Sequence, residues 1–181
     1  MLDANLLPLR AERVVLRAMR AADASAYATG TKDTAVRDYA HLPEPEYTEA
    51  TVTALIRGSI RDGLERGDLA VLTIADPATD EFAGSLVLFG VTDDSVEVGF
   101  WVHPDHRGKG LAGASLALAV EFARGSGLTR LTARTVPENQ ASQSVLESVG
   151  FARGEQTHDI APSGEEVALL HYSRQVAPTP G

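Results

Sequence analysis

Residues Glu97–Ala123 read EVGFWVHPDHRGKGLAGASLALAVEFA, and this stretch decides the fold. Val96–Val102 reads as a strand, rich in β-branched and aromatic residues. It runs into a loop of glycines and basic residues, and the loop opens onto an amphipathic helix expected over Gly110–Gly125. Such a junction builds an anion site. The free N–H groups at a helix start point outward, and the helix dipole adds partial positive charge. Arg107 and Lys109 add full charges, and Gly108 and Gly110 let the backbone approach a bulky ligand. The competing reading is a solvated strand-to-helix turn that uses glycine for backbone freedom. Against it, Gly110 and Gly113 both fall in the first turns of the helix, where each costs up to ~1 kcal/mol relative to alanine. Close approach of a ligand or another backbone explains them better. No Gly-Lys-Ser/Thr ending follows, so the loop is not a P-loop, and the Rossmann glycine pattern with its βαβ context is also absent.

Upstream of this stretch, Arg13–Met19 reads as a strand and Ala21–Thr29 as a short helix with Asp23 in its first turn. His41–Tyr47 carries two prolines and is a loop. Thr48 is placed to cap a helix running to about Arg66, with Val52, Leu55, Ile56, Ile60 and Leu64 at helical spacing. Leu69–Ala75 and Phe82–Val91 are strands separated by a turn at Asp76–Glu81, and with Val96–Val102 they form an antiparallel meander. Downstream, Leu128–Val136 is a strand, and Asn139–Val149 is a helix stopped by Gly150. Phe151–Asp159 and Glu166–Val176 are two last strands around a turn at Pro162–Gly164, and Ala177–Gly181 is expected to be disordered. The order is strand, helices, meander, helix, strand, helix, two strands. It describes a mixed α/β (α+β) layer, neither doubly wound nor a sandwich. No repeat or long linker divides the 181 residues, which are expected to form one domain with its core at about 9–176.

Composition narrows the function. The chain has no cysteine, which excludes disulfides, thiolate nucleophiles and cysteine-based zinc sites. Neither a signal peptide nor a run of ~20 apolar residues is present, so a cytoplasmic location without membrane association is expected. The net charge of −9 argues against nucleic acid as a partner. An anionic ligand therefore has to be held by a local site such as the Arg107–Lys109 loop. His103 and His106 flank Pro104-Asp105, but no third ligand accompanies them, so no metal is expected.

Arg107–Ala112 resembles the arginine/glutamine-x-x-glycine-x-glycine/alanine loop of the GNAT N-acetyltransferases, which binds acetyl-coenzyme A. Asn139–Phe151, NQASQSVLESVGF, is similar to the asparagine-x-x-serine…glycine-phenylalanine segment of the RimJ/RimL-like branch, and LRAERVVLRAMRAADASAY resembles that branch's opening strand and helix. The resemblance covers roughly Leu9 to Val176. It implies a mostly antiparallel sheet of about six or seven strands flanked by about four helices. That sheet would splay between Val96–Val102 and its parallel neighbour 128–136. It further implies an N-acetyltransferase using acetyl-CoA as co-substrate on a primary amine. In such a protein the pyrophosphate lies on the backbone of Arg107, Gly108, Lys109, Gly110, Leu111, Ala112 and Gly113. Pantetheine pairs with the strand edge around Trp101, Val102 and His103, and Asn139 bonds its amide region. Asn139 also suits a helix N-cap.

Acetyl transfer needs a neutral amine, a stabilised oxyanion and a proton for the departing thiolate. Backbone N–H groups near Val98–Trp101 suit the oxyanion. Strand parity puts Glu97, Gly99 and Trp101 on one face and Val96, Val98, Phe100 and Val102 on the other. Glu97 thus shares its face with the space left by Gly99 and is the candidate general base, acting through water; its competing reading is a solvent-facing strand glutamate. Many family members carry a tyrosine seven residues after the asparagine as the acid for the thiolate, whereas this chain has Leu146 there. The resemblance to the RimJ/RimL-like branch makes Ser142 the candidate acid, with Tyr172 as a weaker one. Glu44, Glu46 and Glu49 lie where family members form part of the acceptor cleft.

The acceptor is expected to be a protein or peptide α-amine. At pH 7 roughly a tenth of such a group is neutral, against about 0.04% of a lysine-type amine. A small amine (antibiotic, polyamine or amino acid) is the alternative acceptor, and a non-catalytic acyl-CoA-binding module is the alternative of another class. Either a monomer or a homodimer fits the resemblance.

Overall fold

The computed structural model describes residues 1–161 and 163–176. Eight strands form one sheet: β1 (Leu9–Arg10), β2 (Val15–Ala18), β3 (Ala70–Ala75), β4 (Phe82–Phe89), β5 (Ser95–Val102), β6 (Arg130–Thr135), β7 (Ala152–Ile160) and β8 (Glu166–Gln175). Their order is β1-β2-β3-β4-β5-β6-β8-β7. Every neighbouring pair is antiparallel except β5 and β6. The helices are α1 (Ala24–Gly30), α2 (Thr34–Tyr39), α3 (Glu49–Leu55), α4 (Arg61–Arg66), α5 (Leu111–Gly125) and α6 (Gln140–Ser148). Among the described residues no helix is long and apolar enough to cross a membrane.

The sheet separates two cores, as strand alternation requires. On one face Leu72, Leu86, Val96, Val98 and Leu131 pack against Leu116, Ala119 and Phe122 of α5 and Leu146 of α6. On the other face Phe82 and Trp101 pack against Tyr27, Val36 and Val52 from α1, α2 and α3. The parity expected for β5 is observed: Val96 and Val98 join the first core and Trp101 the second.

Three local features were not anticipated. β1 is an eighth strand, two residues long, too short to show any alternation. α2 lies in the segment between the first helix and the proline-bearing loop, and its start is fixed by Asp33, whose Oδ1 accepts from the Val36 N–H at 3.2 Å. The helix capped by Thr48 does reach Arg66, but Ile56–Ile60 is π-helical and Gly58 leaves the helical region at φ −115°, ψ −109°. The irregular turn carries Ser59 and Ile60 to a cavity wall. Pro162 of the expected final turn and the tail 177–181 lie outside the described residues.

One buried ionic network anchors α1 to the sheet. Arg17 on β2 donates to both oxygens of Asp23 at 2.8 and 3.0 Å and to Asp80 at 2.8 Å. Asp23 also accepts from the Thr73 hydroxyl at 2.9 Å and from the Arg20 N–H at 2.8 Å. A buried pair of this kind is tolerated because nearly every polar atom is matched.

Candidate active site

β5 and β6 pair at Ser95↔Arg130, Val96↔Leu131 and Glu97↔Thr132, and there the ladder ends. Both strands continue, β5 against β4 as far as Val102 and β6 against β8 as far as Thr135, but no longer against each other. Their separation leaves backbone groups of β5 without a strand partner in the gap. Two cavities, of about 560 and 440 Å³, open on either side of it. Both are lined by Val98–Trp101, Arg134 and Thr135.

The larger cavity gathers most of the residues that the resemblance assigned to the cofactor. Arg107, Gly108, Gly110, Leu111, Ala112 and Gly113 line it, with Trp101, Val102, Asn139 and Ser142. Gly110 is the N-cap of α5 at φ +73°, a left-handed conformation that favours glycine. The first N–H bonded back into the helix is that of Ala114, to Gly110. The amides of Leu111, Ala112 and Gly113 precede it and belong to the unpaired set at a helix start. A Cβ on Gly113 would meet only Val149, at 4.0 Å. No neighbouring backbone therefore explains this glycine, and its missing side chain widens the cavity. Asn139 caps α6 by accepting from the Ser142 N–H at 3.1 Å. That bond uses only its carbonyl oxygen and leaves the amide nitrogen available to a ligand.

Three expected positions differ in detail. Lys109 is exposed and does not line the cavity; its carbonyl accepts from Arg13. The His103 N–H donates to the Ala83 carbonyl at 2.8 Å, which turns the backbone of odd-numbered β5 residues toward β4. By alternation Phe100 and Val102 direct their N–H and C=O groups at the gap, whereas the Val98 N–H still belongs to the β5–β6 ladder beside the Glu97↔Thr132 pairing. Val102 thus offers the free edge, while Trp101 and His103 act from behind it. The Trp101 ring is wedged against Tyr27 at 5.2 Å between centroids, and a Cβ on Gly30 would lie 2.6 Å from it. Burial lowers the His103 pKa, and its Nδ1 accepts from the Asp105 N–H at 3.2 Å, so the ring is a neutral structural element rather than a cation for phosphate. Arg107 is paired with Asp33 at 2.5 Å, and this bond holds the Asp33 carboxyl below its usual range. The link ties the loop to the start of α2.

The smaller cavity is walled mainly by apolar groups, among them Leu42, Val52, Leu55 and Phe89. Glu97 and Gly99 line it as the parity of β5 requires. The Glu97 carboxylate is not simply exposed: its Oε1 accepts from Arg134 Nε at 2.7 Å, and Arg134 Nη1 donates to Asp159 at 3.2 Å. Arg134 was not anticipated as a site residue. The only sequence signal is register, since a parallel neighbour displaced by a few residues carries it to Glu97. Glu44 also lines this cavity, whereas Glu46 and Glu49 do not. Burial pushes the Tyr27 hydroxyl far above its ordinary range, so Tyr27 is a neutral wall. Leu146 is a core residue, and Tyr172 is buried away from both cavities with its hydroxyl donating to Glu147 at 3.2 Å.

A family model described as an acetyltransferase (GNAT) domain matches residues 13–152. The L-amino acid N-acyltransferase MnaT of Escherichia coli (strain K12) is 40% identical over 57 residues, which are 32% of this chain and 33% of that protein. The chain thus matches about a third of the length of that curated relative. Mycobacterium smegmatis RimJ in complex with CoA-disulfide is similar with a TM-score of 0.76 and 25% identity over 90% of this chain and 81% of that one. A ribosomal α-N-protein acetyltransferase, RimL, in complex with coenzyme A, shares the fold at a TM-score of 0.78 and 20% identity, over 92% and 96% of the two chains. A GNAT-family acetyltransferase from Bacillus anthracis shares it at 0.77 and 22%, over 93% and 98%.

Proposed function

Because the chain belongs to the GNAT acetyltransferase family, whose members are acetyl-CoA-dependent acyltransferases, we propose that it transfers an acetyl group to the α-amine of a protein or peptide N-terminus. Direct attack in a ternary complex is the mechanism. The observation that carries this reading is the meeting of the two cavities across Val98–Trp101. A donor entering from the α5 side and an acceptor entering from the α3 side reach the same strand edge. Holding both reactants there makes the step effectively unimolecular.

The pyrophosphate sits on the amides of Leu111, Ala112 and Gly113 with Arg107 beside it, and Lys109 adds long-range attraction. Pantetheine runs along Phe100 and Val102 toward Asn139. The N–H group of Phe100 polarises the thioester carbonyl. Glu97 faces the acceptor side, where it attracts the ammonium group and is a candidate proton acceptor. Ser142 faces the donor side as the hydroxyl that protonates the departing thiolate.

The α-N-protein acetyltransferase RimL supports a protein N-terminus as acceptor, whereas MnaT supports a free amino acid, so a small α-amine is the second reading. A free amino acid needs a cation for its carboxylate. Among the described residues lining the acceptor cavity, Arg134 is the one guanidinium, and it is already paired with Glu97 and Asp159. A peptide N-terminus makes no such demand.

The test is calorimetric titration with acetyl-CoA, followed by a thiol-release screen over N-terminal peptides, amino acids, polyamines and aminoglycosides. Peptides are expected to turn over fastest. No binding at millimolar acetyl-CoA would sink the proposal, and binding without release from any amine would mark a binding module instead.

A further inference from the structure

His41 sits in the loop after α2 at φ +46°, in the left-handed region. Glycine or asparagine would meet that backbone demand more easily, so the conformation alone does not account for an imidazole. Its side chain is 11% exposed and lines the acceptor cavity. The Nε2 atom is buried and has no hydrogen-bond partner among the described residues. A buried polar nitrogen left unpaired is costly, and such exceptions call for a specific explanation. On the other side of the ring, Nδ1 lies 3.8 Å from the carboxylate of Glu165, in the connection between β7 and β8. A carboxylate there favours a proton on Nδ1 and leaves the Nε2 lone pair free.

From the strained backbone, the buried unpaired nitrogen and the orienting carboxylate, we infer that His41 is a catalytic residue of the acceptor site, taking the proton of the incoming ammonium group on Nε2. The inference rests on the acetyl-transfer reading above. One ammonium proton passes to Nε2, and the freed lone pair forms the C–N bond to the thioester carbonyl carbon. The adduct then collapses with cleavage of the C–S bond. The departing thiolate takes the Ser142 proton, the second amine proton restores the serine hydroxyl, and the proton on His41 returns to solvent. Glu165 from the β7–β8 connection approaches the imidazole, and the titratable groups lining the same cavity are Tyr39, Glu44 and Tyr47 from its own side and Tyr27 from α1. Glu97 from β5 and Arg134 from β6 complete the ring of charges, with Asp159 reached through Arg134. Glu97 has its Oε1 engaged by Arg134 and acts as the anion that holds the ammonium in place.

The test compares wild type, His41→Asn and Glu97→Gln for turnover at saturating substrates between pH 5 and 9, using the best amine from the screen. Asparagine is chosen because it tolerates the left-handed conformation and cannot take the proton. Wild-type kcat should fall on the acid side as the proton acceptor becomes protonated. His41→Asn should lower kcat about a hundredfold and abolish that limb, with acetyl-CoA affinity kept within twofold. Glu97→Gln should raise KM and keep the limb. Glu165→Gln alters an exposed side chain and so spares the fold; it removes the carboxylate that orients the imidazole and should lower kcat with acetyl-CoA affinity kept. A limb that persists in His41→Asn, or that disappears in Glu97→Gln, overturns the inference. If His41→Asn does not fold, an unchanged kcat in Glu165→Gln overturns it. Wild type that binds acetyl-CoA but acetylates no amine overturns the acetyl-transfer reading and this inference with it, whereas wild-type turnover with an unaltered variant profile overturns the inference alone.

Discussion

The halves of the site proposed for donor and acceptor are built in different ways. The donor half is one continuous run, the end of β5, the loop through Arg107 and the start of α5, completed by the cap of α6. Its functional groups are largely backbone amides, positioned by local geometry. The acceptor half is assembled from side chains of α2, α3, β5, β6 and the β7–β8 connection, which are far apart in sequence. A half made of backbone is robust to side-chain change, whereas a half made of side chains depends on every element that sets their relative position.

That contrast can be broken by substitution. Asp23→Ala should have the largest effect, destabilising the fold by about 3–5 kcal/mol because Arg17 is left buried without its main partner. Chemical denaturation measures it. Since Asp23 fixes α1 beneath the acceptor cavity, amine KM should suffer more than acetyl-CoA affinity in the folded fraction. Equal loss on both sides would erase the distinction between the halves. Arg107→Glu should weaken acetyl-CoA binding tenfold or more by calorimetry, since it reverses a charge beside the expected pyrophosphate and also breaks the pair with Asp33. Ser142→Ala should lower kcat about tenfold with acetyl-CoA affinity unchanged, as steady-state kinetics will show. Wild-type turnover would remove the serine from the acid role. Gly113→Ala has the smallest effect but the sharpest sign. The site has room for a methyl group, so helix propensity should raise stability by up to ~1 kcal/mol while acetyl-CoA binding weakens. A gain in stability without loss of affinity would mean that Gly113 serves only the chain.

The halves also differed in legibility. The strand, the loop and α5 were readable because alternation, glycine and helical periodicity are local signals. Asn139 was readable as a cap for the same reason, and the structure pairs it with Ser142. Trp101 and His103 belong to that readable stretch, yet their backbones turn toward β4, a consequence of the β4–β5 pairing that no local pattern reports. α2 escaped detection because six residues hold too few apolar positions to show a period, although Asp33 was a capping signal in plain view. Arg134 looked like one more polar residue of a strand, and only the parallel register of β5 and β6 brings it to Glu97.

By itself the sequence determined a mixed sheet with a helix start suited to an anion and, through its resemblance to a family, pointed to the class of donor proposed for it. Those properties follow from contacts between residues close together in the chain. Tertiary structure alone decided the acceptor side: the grip of Arg134 on Glu97, the burial of His41 Nε2 and the approach of Glu165 to the same ring. The two contacts join residues 37 or more positions apart, and they exist only once strand order and register have set which side chains share a cavity.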